Sequence, residues 1–170
     1  MSAPEFSHMV DLRQIGDAPV VLVPDETERR RLAGRFAITA IDSMRAELFL
    51  TVDGQTVEAK GKLTASIVQM CAISGEDFPV KISEPVALRF VPSSAHHAHD
   101  EEIEINADDC DEIEYEGTVF DLGEAVAQSL ALAIDPFAEG PDADKARAEH
   151  KLGGDVASGA FAALSALKKD

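Results

Sequence analysis

The sequence predicts an α+β domain in which a curved antiparallel β-sheet is packed by one main amphipathic helix and followed by a flexible C-terminal tail. Three observations lead there. The first half alternates apolar and polar residues with period two, the pattern of strands that bury one face. A stretch beginning at Asp121 repeats its apolar residues at helical spacing instead. Beyond Pro136 the bulk runs out, and Ala, Gly, Asp and Lys dominate.

Taken in order, Phe6, His8, Val10 and Leu12 alternate with Ser7, Met9 and Asp11, which predicts a first strand. Asp25 with Glu28 three residues on forms a capping pair for a short helix, and Gly34 supplies its stop. Residues 44–52 form the next apolar run. Asp53 and Gly54 then carry the turn chemistry of a hairpin, since both tolerate positive φ. In the return strand Val57, Ala59, Gly61, Leu63, Ala65 and Ile67 share one face, with Glu58, Lys60, Lys62, Thr64 and Ser66 on the other. Residues 80–90 give another strand, where Pro85 predicts an edge or a bulge because proline cannot donate to the ladder. Ile103, Ile105, Ile113 and Tyr115 are candidate strand anchors within the acidic stretch that follows.

The main helix opens at Asp121, with Glu124 at the third position to complete the cap. Leu122, Ala125, Val126, Ser129, Leu130 and Ala133 line one face until Asp135-Pro136 ends the run. The expected outline is one domain over residues 1–136, then a mobile linker and C-terminal peptide over 137–170. That peptide carries Phe161, Leu164 and Leu167 and closes on Lys168 and Lys169.

The chain has 170 residues and a formal charge of −17, most of it concentrated in one region. Residues 1–89 hold 10 basic and 13 acidic groups, residues 90–144 hold 16 acidic and no Lys or Arg, and residues 145–170 hold 5 basic and 3 acidic. Such a balance repels bare nucleic acid and anionic membranes and favours basic proteins or cations as partners. The first residues lack the basic and apolar regions of a secretory signal, and no long apolar run spans a membrane; a cytoplasmic protein is expected. Cys71 and Cys110 are too few for a disulfide scaffold and are read as thiols.

No dinucleotide fingerprint, P-loop, serine-hydrolase elbow or zinc-protease motif occurs, and the carboxylates crowd one tract instead of standing singly among apolar neighbours. A non-catalytic, cofactor-free protein is the expectation. His96, His97, His99 and Asp100 offer metal-ligand types, but no second spaced pair completes a site, so a polar loop is favoured and no metal is expected. The acidic residues Asp108, Asp109, Asp111, Glu112 and Glu114 are either a solvated run or a surface that attracts a basic protein partner. Phe161 and Leu164 are either a docked terminal helix or a hydrophobic anchor for that partner. Arg29, Arg30 and Arg31, with the Lys60 and Lys62 face, are the candidates for direct RNA contact; helix-end stabilisation and solubility are the competing roles of the three arginines.

The order of motifs also resembles a known family. A strand ending in Cys71-Ala72-Ile73-Ser74-Gly75-Glu76 with Phe78 beyond, an acidic stretch, and Asp121-Leu122-Gly123-Glu124-Ala125-Val126 leading to Ile134-Asp135-Pro136 are similar to the YceD family of bacterial and plastid proteins. The closing run from Phe161 to Lys168 resembles that family's ending. The likeness runs from about residue 40 onward and implies a role in accumulation or processing of large-subunit ribosomal RNA, without a known catalytic activity; an RNA-processing enzyme or direct RNA binder is the alternative. It carries over Cys71, Ser74, Glu76, Asp121, Leu122 and Glu124 as motif positions. Many members have a second cysteine where Ser74 stands, and some have more cysteines after the helix, where this chain has Pro141-Asp142-Ala143-Asp144. Two thiols cannot complete a four-ligand zinc site, so none is expected here.

Overall fold

A computed structural model describes residues 3–93 and 111–150. Its elements in order are β1 (Met9–Asp11), a short 3-10 turn (Leu12–Gln14), β2 (Val20–Leu22), α1 (Glu26–Phe36), β3 (Ala40–Asp53) and β4 (Thr56–Met70). Then come β5 (Asp77–Pro92), β6 (Asp111–Tyr115), β7 (Val119–Asp121), α2 (Leu122–Ala133) and α3 (Ala143–His150). The α+β class holds.

Five strands form one sheet in the order β2-β3-β4-β5-β6, and β1 pairs with β7 in a separate ribbon. The β3/β4 hairpin is its backbone. Asp53 sits opposite Thr56, so the two-residue turn is Gly54-Gln55, one residue later than Asp53-Gly54, with Gly54 at φ +62°. The face predicted for β4 is the buried one: Val57, Ala59, Leu63 and Ile67 are fully enclosed, opposite Val52, Leu50, Ala46 and Ile41 of β3. Gly61 has a distinct reason to be glycine. A Cβ there would fall 1.9 Å from the Glu47 carbonyl oxygen, so a side chain would force the two strands apart.

The structure differs from the sequence expectations at several points. The sheet is mostly antiparallel, but β6 runs parallel to β5, with Leu88 opposite Asp111 and Pro92 opposite Tyr115. The intervening chain is long enough for the crossover that a parallel pair needs. The described β5/β6 register runs from Leu88 to Pro92, and Pro85 lies before it. Helix α1 does not stop at Gly34. It continues to Phe36 and ends on Ala37 in the left-handed region (φ 54°), where the Ala37 and Ile38 amides donate to Gly34 O and Ala33 O. The first strand is only Met9–Asp11, since Leu12 turns into the 3-10 segment; β2 was not anticipated, being too short for period two to register.

The chain divides into two compact units, residues 1–69 with 79–135 and residues 70–78 with 136–170. In the first, α1, α2 and the inner sheet face enclose one core around Leu32, Leu48, Leu63, Ile67, Leu122, Val126 and Leu130. Phe90 stacks on Phe120 at 4.2 Å between ring centroids, and Tyr115 tilts against Phe120 while donating its hydroxyl to Gln55 O. In the second, the stretch read as linker contains α3. Its buried residues are Ala143 and Ala146, whose small side chains pack without the bulk that a sequence pattern reveals. Arg147 ties this helix together through Asp144 at 3.0 Å and through Glu139.

Candidate functional site

Asp121 is the hub of the first unit's motif. As N-cap of α2 its Oδ1 accepts the Glu124 amide at 3.1 Å and the His8 amide at 2.8 Å, while Oδ2 accepts the Ser7 hydroxyl at 2.6 Å. The Leu122 amide returns a bond to His8 O at 2.9 Å, and the Leu122 side chain is fully buried. Between them Gly123 allows the close approach: a Cβ there would lie 2.6 Å from the His8 nitrogen. Glu124 reaches back to Arg35 of α1, whose guanidinium also meets Glu5 at 3.1 Å. The Arg35 guanidinium beside Glu124 holds that carboxyl below its usual range. Every polar group in this cluster is committed to joining the N-terminal segment, α1 and α2. The sequence showed Asp121 and Glu124 as a cap; Arg35 and Ser7 were missed because their pairing spans most of the chain.

The second unit's motif is a tight loop around Cys71. The thiol sulfur accepts the Ile73, Ser74 and Gly140 amides at 3.4, 3.3 and 3.2 Å. The Cys71 amide donates to Glu76 O and the Gly75 amide to Cys71 O, with Gly75 at φ +72°. Glu76 thus serves through its backbone, and its amide donates to the Ser74 hydroxyl at 3.3 Å. Hydrogen bonding by Ser74, first through its side chain and then its amide, with Gly140 and Ile73 adding to it, lowers the Cys71 pKa to about 7. Ser74 and Gly140 offer a hydroxyl and an amide where a metal site would need further soft or nitrogen ligands, so this loop does not fit zinc. Among the described residues no cluster of three His, Cys, Asp or Glu suits a metal ion. The His96, His97, His99 and Asp100 segment lies outside the described residues, as do Cys110, Ile103 and Ile105.

The acidic residues split. Asp111, Glu112 and Glu114 lie on β6 with exposed side chains, and Glu112 approaches Arg89 at 3.6 Å. Asp108, Asp109, Phe161 and Leu164 lie outside the described residues. The basic candidates have local partners: Arg29 donates to Pro24 O at 3.0 Å and Arg30 pairs with Glu26 at 2.8 Å, while Arg31 is exposed on the same helix. On the outer sheet face Lys60 pairs with Glu58 and Arg45 with Glu47, both at 3.1 Å, and Lys62 stands opposite Glu47 in the β3/β4 register. That face is close to charge-balanced, which weakens it as a phosphate surface.

A protein-family model described as the large ribosomal RNA subunit accumulation protein YceD matches residues 59–168. The chain belongs to the YceD family. No curated protein and no solved structure matches it. The matched stretch of this YceD chain contains Cys71, Ser74, Glu76, Asp121, Leu122 and Glu124, along with the whole acidic tract, whereas Arg29, Arg30 and Arg31 precede it. Both motifs of the YceD region are therefore built to hold backbone in place: one caps a helix and anchors a strand, the other closes a loop on a sulfur. Among the described residues no helix is long and apolar enough to cross a membrane.

Proposed function

We propose that this protein is a non-catalytic cytoplasmic factor in large ribosomal subunit biogenesis, required for large-subunit rRNA to accumulate, and that it acts by binding a basic ribosomal protein or assembly factor. The observation that carries this reading is the family match over residues 59–168, whose description names large ribosomal RNA subunit accumulation. The electrostatics support a protein partner over bare RNA. A chain of charge −17, with no Lys or Arg over residues 90–144, attracts cationic protein segments and repels phosphate. Commitment of the motif side chains to holding the fold supports binding over catalysis, since Asp121, Glu124 and Cys71 all serve as hydrogen-bond hubs that join distant segments of their own units.

Pulse-chase labelling of rRNA in cells depleted of the protein tests it. Large-subunit rRNA is expected to be made at the normal rate and then lost, while small-subunit rRNA persists. Equal persistence of both would overturn the proposal.

A further inference from the structure

Resting on that biogenesis reading, we infer that a groove between β6 and the β1/β7 ribbon, closed on one side by α2, receives a basic segment of a protein partner carrying an apolar anchor residue. The groove has a volume of about 250 Å³, below the ~300–1,000 Å³ usual for small-molecule sites and suited to one or two side chains. Part of its lining is apolar. Ile113 and Phe120 line it, Phe90 lies beneath in stacked contact with Phe120, and Met9 stands at its mouth 59% exposed. An exposed methionine over an apolar wall is a soft, adaptable contact for an incoming side chain.

The charge around this groove has one sign. Glu114, Glu116, Asp121 and Glu124 all line it, and none of its described lining residues is Lys or Arg. Residues 90–144 add no Lys or Arg to it, their basic groups being the three histidines His96, His97 and His99. Arg35, the cation bound to Glu124, is already divided between Glu124 and Glu5. A partly apolar slot whose charged lining residues are all carboxylates complements a Lys- or Arg-rich segment bearing a Leu, Met or aromatic side chain, and it disfavours a phosphate backbone. The best surface for RNA instead is the outer face around Phe49, which is 53% exposed beside Arg45 and Lys62. RNA binding there is the competing outcome.

The test uses the immobilised full chain and, as probe, the total protein of purified large subunits freed of rRNA. The wild-type chain is expected to retain one or a few basic proteins at moderate salt. Glu114→Lys combined with Glu116→Lys should lower retention by about tenfold or more, and Met9→Ser by about fivefold. Asp17→Lys combined with Asp53→Lys, an equal charge change at exposed sites, should leave it within about twofold. Three results would overturn the inference: no retention, equal loss in both double variants, or retention that appears only when rRNA is added back and is lost in Phe49→Ala. Normal rRNA accumulation in the pulse-chase would remove the biogenesis reading alone, leaving the groove to be decided by retention.

Discussion

Arg35 grips Glu124 with both arms of its guanidinium, Nη1 to Oε2 at 3.0 Å and Nη2 to Oε1 at 2.8 Å. Helix α1 is thereby fastened to the first turn of α2 across 89 residues of sequence. Both side chains are about a third exposed or less, so the pair is screened less than a surface ion pair but is not a buried one.

A double-mutant cycle with Arg35→Ala and Glu124→Gln should therefore show a coupling of about 1 kcal/mol, read from chemical denaturation. Glu124 is depressed in the folded state. The stability it adds is fully present above its unfolded pKa of about 4.3 and is lost as pH falls through the lower folded value. In the Glu124→Gln variant that part of the acid-side loss should disappear; an unchanged pH profile would show the pair to be incidental.

Two glycines should respond oppositely to alanine. Gly61→Ala drives a methyl into the Glu47 carbonyl and should cost about 2–4 kcal/mol. Gly34 sits inside α1, where a methyl group would meet nothing within 4 Å, so Gly34→Ala should stabilise by about 0.5–1 kcal/mol. Thermal melts of the two variants on either side of the wild type would confirm both assignments.

The Cys71 thiolate should form with a midpoint near pH 7, followed by its ultraviolet absorbance or by alkylation rate against pH in a Cys110→Ser background. Ser74→Ala should move that midpoint upward, since Ser74 is the leading cause of the shift. A midpoint in the wild type at the ordinary thiol value of about 8.5 would contradict the hydrogen-bonded loop. Because this loop does not fit zinc, elemental analysis should find no stoichiometric zinc; one zinc per chain would require ligands outside the described residues.

Period and capping chemistry made the long elements legible. β4 announced its buried face through Val57, Ala59, Leu63 and Ile67, and Asp25 and Asp121 marked two helix starts; Asp25 and Glu28 form a full capping box, whereas Asp121 caps α2 with its own side chain while the Glu124 carboxylate turns to Arg35. Short elements escaped, because three residues of β2 cannot display alternation, and α3 buries alanines that read as linker. The parallel β5/β6 pairing was hidden for a different reason: strand direction depends on the crossover, and the same alternation of Ile113 and Tyr115 suits either direction. At the candidate site, the sequence exposed the acidic charge and the capping residues. It could not show that Met9 and Phe120, from strands far apart in sequence, come together beside that charge, since β1 and β7 pair only through long-range contact.

The most direct measurement is a sucrose-gradient ribosome profile, with rRNA quantified across it, from cells depleted of this protein and again after its restoration. The account predicts a selective loss of free large subunits and their rRNA that restoration reverses. An unchanged profile, or an equal fall in both subunits, would contradict it.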